Sequence, residues 1–227
     1  MATLYIIPTP IGNLADITYR AVQTLNQVDV IACEDTRTSK VLLNNYAIDK
    51  PQIAFHQNNE HRQAERLITR IKTGQTAALI SDAGTPGISD PGFLLIREAY
   101  KQGVHVVVLP GPDAATTALV ASGLPCDRYI FEGFLPHKKG RKARIERLVD
   151  DERTTVLYES PHRIMKLLGE LLERCDADRM VAIAREMTKT YEEVIRGNIK
   201  HVHDTLAERN TVKGEICVII AGKNYRE

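Results

Sequence analysis

The first half of the chain alternates short apolar runs with amphipathic segments. Several of the apolar runs are uninterrupted, which is typical of strands in a sheet that is covered on both faces. The predicted strands are Leu4–Ile7, Val28–Cys33, Ala77–Ile80 and Val104–Leu109. The predicted helices are Tyr19–Leu25, Lys40–Tyr46, Glu60–Lys72, Pro91–Lys101 (with Pro91 in its first turn) and Ala114–Ser122. This alternation predicts an α/β domain with a mostly parallel sheet.

The pattern restarts after the helix-breaking segment at residues 123–127, Gly-Leu-Pro-Cys-Asp. The elements predicted beyond it are strands at Tyr129–Phe134, Thr154–Tyr158, Met180–Glu186, Glu192–Gly197 and Glu215–Ala221, and a helix at Pro161–Cys175. The last three strands follow one another with little predicted helix between them, which indicates a mixed sheet with antiparallel pairs. We therefore predict two α/β domains, residues 1–122 and residues 123–227.

Composition narrows the class of protein. An apolar share of 43% supports a true core, and a net charge of +1 provides no overall attraction to nucleic acid, so any such binding must come from local patches. The four cysteines are widely spaced, and neither the His56/His61 pair nor the His201/His203 pair has an evident third ligand, so no disulfide framework or metal site is predicted. The apolar run at the N-terminus is too short for a signal peptide or a membrane span, which predicts a cytoplasmic protein.

Residues 80–92 form the segment that is hardest to explain by folding alone. They read Ile-Ser-Asp-Ala-Gly-Thr-Pro-Gly-Ile-Ser-Asp-Pro-Gly, whereas a simple strand-to-helix connection has about 2–6 residues. Such a loop at the carboxyl end of a strand is where α/β folds bind ligands. It lacks both common phosphate-binding glycine patterns and contains Asp82 and Asp90 instead. We expect a ligand that is recognised through hydroxyl, amino and carboxylate groups.

Three further loops follow strands of the same predicted sheet. Residues 8–16 contain two prolines and a glycine, residues 109–113 read Leu-Pro-Gly-Pro-Asp, and residues 34–37 read Glu-Asp-Thr-Arg. Helix capping explains one or two residues of the last segment, but it does not explain Glu34, Asp35 and Arg37 together. We predict that these loops contribute to an active site.

Basic residues are concentrated in the segment from His137 to Arg147, which carries six Lys or Arg against one Glu. Such a run is either a solvated helix face or a patch that contacts phosphates. Arg163 follows one predicted strand of the second half and Arg185 lies at the end of another. Each is near a glutamate, where it forms either a structural ion pair or a contact with RNA or ligand.

Together these segments resemble the class III S-adenosylmethionine-dependent methyltransferases, the tetrapyrrole methylase fold. Within that family the chain is similar to the branch that methylates a cytidine ribose 2′-oxygen in small-subunit (16S) ribosomal RNA. The resemblance extends from Leu4 to Gly222. It is carried by residues 9–14, 34–37, 81–92, 110–122, 158–164 and 185–193.

The resemblance implies two α/β domains with S-adenosylmethionine bound in the cleft between them, and a homodimer. Matched position by position, the residues implied to bind the cofactor are Pro10, Asp82, Ala83, Ile88, Asp113, Ala114, Tyr158 and Ala184. Asp113 departs from this branch of the family, which commonly has Ser there, but a carboxylate can also accept hydrogen bonds from cofactor hydroxyls or from backbone.

A ribose hydroxyl is a poor nucleophile at neutral pH, so a nearby proton acceptor would assist methyl transfer. Glu34 and Asp35 are our hypothesis for positioning or deprotonating the hydroxyl, and Asn13 for orienting the ribose. The residues predicted to hold RNA are Arg37, Lys138, Lys139, Arg141, Lys142, Arg163 and Arg185. Two alternatives stay open: a corrin or other tetrapyrrole methylase, against which the basic run and the long loop count, and a non-catalytic ribosome assembly factor.

Overall fold

A computed structural model describes residues 2–227. The chain forms two compact units that divide between Asp113 and Ala114, whereas the sequence pattern placed the division between Ser122 and Gly123. The difference concerns the helix Ala114–Ala121, which packs against strands Thr154–Glu159 and Ile216–Ile220 of the second unit. Helix breakers mark where an element ends, but they do not show which sheet it packs on.

The first unit is a five-stranded sheet with helices on both faces. Its strands are β1 (Thr3–Ile7), β2 (Val30–Cys33), β3 (Gln52–Ala54), β4 (Ala77–Ile80) and β5 (His105–Val108), in the order β3-β2-β4-β1-β5. Its helices are α1 (Tyr19–Gln27), α2 (Thr36–Asn45), α3 (Glu60–Lys72) and α4 (Phe93–Lys101), with a short 3-10 turn at Leu14–Asp16. Every strand pair is parallel, and a separate apolar cluster covers each face. The predicted parallel sheet is confirmed.

Three details of the first unit differ from the prediction. The edge strand β3 was not predicted, because three residues are too few for a periodic pattern. Helix α2 begins at Thr36 rather than at Lys40, since Asp35 accepts a hydrogen bond from the N–H of Arg37 and caps it. Helix α4 begins at Phe93, so the placement of Pro91 in its first turn was wrong.

The second unit is a mixed sheet with helices. Its strands are β6 (Tyr129–Phe134), β7 (Thr154–Glu159), β8 (Met180–Arg185), β9 (Glu193–Asn198) and β10 (Ile216–Ile220), in the order β6-β7-β10-β8-β9. Its helices are α5 (Ala114–Ala121), α6 (Arg141–Asp150), α7 (Ile164–Leu172) and α8 (Ile199–Ala207). Strands β6 and β7 are parallel and the other pairs are antiparallel, which confirms the mixed sheet.

The expectation of little helix between the last strands was wrong, because α8 connects β9 to β10. Asn198 caps it by accepting a hydrogen bond from the N–H of His201. Ile199, Val202 and Leu206 form its buried face. These three residues have the spacing of an amphipathic helix, so the signal was present in the sequence. No helix within residues 2–227 is both long and apolar enough to span a bilayer.

Candidate functional site

The loops at the carboxyl edge of the first sheet are bonded directly to one another. Thr9 in the loop after β1 exchanges two backbone hydrogen bonds with Gly84 in the loop after β4, at 2.9 and 3.0 Å. The Thr9 hydroxyl donates to the Ser81 carbonyl at 3.0 Å, and the Ser81 hydroxyl donates to the Gly84 carbonyl at 2.8 Å. These bonds hold the loop at residues 80–92 against the loop at residues 8–16.

The loop after β5 joins the same assembly. The hydroxyl of Thr85 donates to the carbonyl of Pro112 at 3.4 Å. Gly111 packs so closely on Pro8 that a Cβ atom at position 111 would lie 2.7 Å from the proline Cβ. Only glycine allows this approach without displacing a rigid proline ring. The loops after β1, β4 and β5 therefore form one connected structure.

Glycine is also required where the long loop turns into α4. Gly92 has a φ of 148°, a backbone angle that residues with a side chain rarely adopt. A Cβ atom there would lie 3.1 Å from the Leu79 side chain. The same atom would lie 3.1 Å from the backbone nitrogen of Gly87. The long loop thus folds back on itself at the end of β4.

The loop after β2 is connected through Asp35 and Asp82. The backbone N–H of Asp35 donates to the Asp82 carboxylate at 3.1 Å. The Arg37 guanidinium donates to both oxygens of the Asp35 side chain, and these bonds lower the pKa of Asp35 to about 2. Asp35 is therefore ionised and engaged, which makes it a poor proton acceptor near neutral pH.

Three other carboxyl groups at this edge are harder to ionise. Burial, followed by the charge of Asp82, raises the pKa of Glu34. Burial also raises the pKa of Asp82, assisted by the charge of Asp35 and opposed by the hydrogen bond from the Asp35 N–H. Burial together with the charges of Glu34 and Asp82 raises the pKa of Asp90 to about 7. The edge thus holds three neighbouring carboxyl groups that lose their protons less readily than isolated carboxyl groups do.

The Asp90 shift predicts a pH-dependent stability effect. Because the folded-state pKa lies above the unfolded value of 3.8, the stabilising contribution is complete below about pH 4. It is lost as the pH rises through about 7. Asp90→Asn is therefore expected to raise Tm less at pH 5 than at pH 8, by about 2–4 °C for each kcal/mol of unfavourable charge burial relieved. Thermal unfolding of both proteins at the two pH values measures this, and a Tm difference that does not vary with pH would contradict the burial of a charged Asp90.

The remaining site residues predicted in the first unit lie in these loops. Pro10 is buried, Asp113 is half-buried, and Ala83 and Ile88 are exposed. Asn13 is exposed and its side-chain oxygen accepts from the N–H of Ala15, which caps the short 3-10 turn. Its amide nitrogen is the part of the side chain that this cap leaves for a ligand.

The three cofactor residues predicted in the second unit occupy different settings. The Tyr158 ring contacts Phe131 and Phe134, with ring centroids 5.1 and 5.4 Å away. Ala184 is buried within β8. The carbonyl of Ala114, at the start of α5, accepts a hydrogen bond from the Cys217 thiol at 3.6 Å.

The structure separates the predicted RNA-binding residues into buried and exposed groups. Arg141 is only 3% exposed, and its guanidinium contacts the carboxylates of Glu159 at 3.3 Å and Glu170 at 2.8 Å. Arg163 contacts the other oxygen of Glu159 at 2.7 Å. Arg141 is therefore a structural residue of the second unit, out of reach of RNA.

Arg185 is also engaged internally. Its guanidinium bonds to Glu193 at 3.1 Å and to the carbonyls of Lys213 and Tyr191. The residues of the RNA prediction that are exposed are Arg37, Lys138, Lys139 and Lys142. Lys142 pairs loosely with Glu146 at 3.8 Å, one turn along α6.

One residue of this edge, His56, was considered in the sequence only as a metal ligand. It follows β3, and since β3 itself was not predicted, its position beside Glu34 could not be recognised. The available signal was the segment His56-Gln57-Asn58-Asn59 directly before a strongly periodic helix. No cluster of three or more His, Cys, Asp or Glu within residues 2–227 is arranged to hold a metal ion.

Comparison with known proteins identifies a matching family and close relatives. The family model described as Tetrapyrrole (Corrin/Porphyrin) Methylases matches residues 3–203. A Haemophilus influenzae protein named Ribosomal RNA small subunit methyltransferase I is 50% identical over 97% of this chain and 78% of its own length. A Hydrogenobaculum protein of the same name is 48% identical over 99% of this chain and 98% of its own.

Solved structures of similar fold are more distant in sequence. Uroporphyrin-III-C-methyltransferase from Thermus thermophilus superposes with a TM-score of 0.69 at 19% identity, covering 97% of this chain and 94% of that one. Cobalt precorrin-4 methyltransferase superposes with a TM-score of 0.68, also at 19% identity, covering 97% and 95%. At this identity the similarity is evidence of a shared fold.

Proposed function

The chain belongs to the tetrapyrrole methylase family, and on that premise we propose that it transfers the methyl group of S-adenosylmethionine to a cytidine ribose 2′-oxygen in small-subunit (16S) ribosomal RNA. The observation that carries this proposal is the near-complete match, at 50% identity, to a relative named Ribosomal RNA small subunit methyltransferase I. The tetrapyrrole methylases among the solved structures share only 19% identity, which favours the RNA substrate over a corrin.

The chemistry of the first-unit edge fits this cofactor. S-adenosylmethionine supplies an electrophilic methyl group on a positively charged sulfur. Glu34, Asp82 and Asp90 are carboxyl groups with raised pKa values, so a cationic ligand would favour their ionised forms. The cofactor residues proposed in this unit are Pro10, Asp82, Ala83, Ile88 and Asp113. Ala114, Tyr158 and Ala184 enter the proposal through the family resemblance alone.

Glu34 is the proton acceptor in this proposal. It is half-buried, its pKa is raised, and it follows β2 at the edge where the loops meet. Asp35 supports the site by holding Arg37 and by donating its backbone N–H to Asp82. In this proposal the task of the loops is to hold the hydroxyl in line with the methyl group, and orientation of this kind is worth up to about 7–11 kcal/mol.

RNA binding is assigned to the exposed basic residues. Lys138 and Lys139 precede α6, Lys142 lies in its first turn, and Arg37 lies beside the acidic edge. The target nucleotide is proposed to be exposed or flipped out, which is the usual route when a protein modifies a buried base or sugar. We further propose a homodimer that acts in the cytoplasm on ribosomal RNA within the small subunit.

Because Gly111 packs closely on Pro8, a substitution at position 111 is expected to weaken binding of S-adenosylmethionine. Gly111→Ala is expected to push the loops after β5 and β1 apart and to weaken S-adenosylmethionine binding about tenfold or more, because a Cβ at 2.7 Å from Pro8 must displace one of them. Gly169→Ala in α7 is the matched control, since a Cβ there meets nothing within 4 Å. Isothermal titration of both variants measures the difference. Equal affinities would show that this packing does not shape the cofactor site.

The proposed function is tested with the purified protein and small ribosomal subunits from a strain that lacks it. Isothermal titration is expected to show binding of S-adenosylmethionine, and addition of subunits is expected to release S-adenosylhomocysteine. Absence of cofactor binding would support the assembly factor instead. Methylation of a corrin precursor without methylation of subunits would support the tetrapyrrole methylase.

A further inference from the structure

His56 and Glu34 follow neighbouring strands at the same edge of the first sheet. In the parallel pair of β2 and β3, Cys33 is the register partner of Ala54. The pairing continues one step further, because the N–H of Phe55 donates to the Cys33 carbonyl at 2.7 Å. Glu34 and His56 are thus the first residues beyond the paired part of each strand, and both side chains are half-buried.

Asn59 holds His56 in one orientation. The Asn59 side-chain oxygen accepts from the backbone N–H of His56 at 2.9 Å, and its nitrogen donates to the Ala54 carbonyl at 3.1 Å. These two backbone contacts determine which end of the amide is oxygen and which is nitrogen. The same nitrogen lies 3.1 Å from Nε2 of His56. An amide nitrogen only donates, so Nε2 accepts and the proton of the neutral ring lies on Nδ1.

Asn59 orients His56 instead of capping the helix that it precedes. It occupies the N-cap position of α3, where asparagine is among the preferred residues, yet its side chain makes no capping hydrogen bond. The side chain that would stabilise the helix instead contacts the ring and backbone N–H of His56 and the carbonyl of Ala54. This arrangement orients an imidazole at some expense to local helix stability.

The Nδ1–H group of His56 and the carboxylate of Glu34 are complementary. Within residues 2–227, Nδ1 of His56 has no hydrogen-bond partner, and the Glu34 oxygens accept no hydrogen bond. The two groups follow strands that are hydrogen-bonded to one another. A half-buried donor and a half-buried acceptor therefore lie at adjacent strand ends, both available to a ligand.

We propose that His56 binds the target nucleotide by donating its Nδ1–H to an acceptor oxygen adjacent to the hydroxyl that donates to Glu34. This rests on the proposed function. A ribonucleotide has such a pair, since its 2′-hydroxyl neighbours the oxygens of the 3′-phosphate. The hydroxyl would donate to the carboxylate of Glu34, and the phosphate would accept from the imidazole of His56. The two side chains would therefore distinguish RNA from DNA, which lacks the 2′-hydroxyl.

The test compares His56→Ala and His56→Gln with His61→Ala, a control at an exposed histidine in the first turn of α3. His56→Ala is expected to lower kcat/KM for small subunits about 10- to 100-fold, the range for loss of a hydrogen bond to a charged group. His56→Gln keeps an N–H donor and is expected to recover part of the loss. Affinity for S-adenosylmethionine and the unfolding midpoint are expected to stay at wild-type values, as are all properties of His61→Ala.

A second measurement determines which ring nitrogen of His56 carries the proton. Nitrogen-15 NMR of the wild-type protein is expected to show His56 as the Nδ1–H tautomer, and Asn59→Ala is expected to release this preference. Wild-type kinetics in both His56 variants, or a ring protonated at Nε2, would overturn the inference while leaving the methyltransferase proposal intact. A wild-type protein that methylates no RNA would overturn both.

Discussion

Glu34→Gln is expected to lower kcat for methylation of small ribosomal subunits by about 10²–10⁴-fold, the usual contribution of a general base. Glutamine keeps the size of the side chain and removes its capacity to take a proton. The binding constant for S-adenosylmethionine is expected to change far less than kcat. Single-turnover kinetics with saturating cofactor, together with isothermal titration, separate the two quantities.

Asp35→Asn is the matched comparison for Glu34→Gln. Because Arg37 holds the pKa of Asp35 at about 2, this carboxylate accepts protons poorly, and its replacement is expected to affect kcat much less. Its main effect is expected on RNA binding, through the released Arg37. If Glu34→Gln retains the wild-type rate, Glu34 is not the proton acceptor. If Asp35→Asn has the larger kcat effect, the assignment within the pair is reversed.

Glu159→Ala is expected to destabilise the second unit by about 3–5 kcal/mol, the usual result of removing one partner from a buried ion pair. Glu159 is fully buried and binds Arg141 through one oxygen and Arg163 through the other. Nε and Nη1 of Arg163 are already buried without a hydrogen-bond partner within residues 2–227, so loss of the carboxylate leaves both guanidinium groups poorly compensated. Urea denaturation followed by circular dichroism measures the loss.

Glu170→Ala is the control for this buried network. Glu170 also contacts Arg141, but its side chain is 21% exposed and water can replace it, so a smaller loss is expected. Replacing Arg141, Glu159 and Arg163 together by apolar residues of similar size is expected to recover most of the stability, because the only charged group left is Glu170, which water can reach. A loss below about 1 kcal/mol in Glu159→Ala would contradict the assignment of Arg141 to the protein interior.

The elements that the sequence predicted best are those with long periodic or continuous apolar patterns. The structure has α3 at Glu60–Lys72, β4 at Ala77–Ile80 and β6 at Tyr129–Phe134, with the predicted bounds. Strand β3 was missed because it is short and lies at an edge of the sheet. Helix α8 was missed although Ile199, Val202 and Leu206 follow one another at helical spacings of three and four residues.

Arg141 shows why a charge run alone does not predict a surface. The basic segment at residues 137–147 contains six positive charges, and one of them is buried. Arg141 shares a helix face with Ile145 and Leu148, at spacings of four and three residues, and that face packs inward. The spacing was present in the sequence, but the two glutamates that accept the charge come from β7 and α7. Tertiary structure alone brings them together.

The candidate site was partly predictable for a similar reason. A parallel sheet places all its carboxyl ends at one edge, so strand assignments alone predicted that the loops after β1, β2, β4 and β5 lie together. The bonds from Thr9 to Gly84 and from Asp35 to Asp82 link residues that are distant in sequence, and no local pattern specifies them. The raised pKa values of Glu34 and Asp90 depend on the same distant contacts.

The most direct test of the account is mass spectrometry of nucleosides from small-subunit ribosomal RNA of a strain that lacks this protein. We predict that this RNA contains less 2′-O-methylcytidine than wild-type RNA. We also predict that the purified protein with S-adenosylmethionine restores it, whereas the Glu34→Gln protein does not. Unchanged 2′-O-methylcytidine in the deletion strain, with no gain on incubation with the purified protein, would contradict the account.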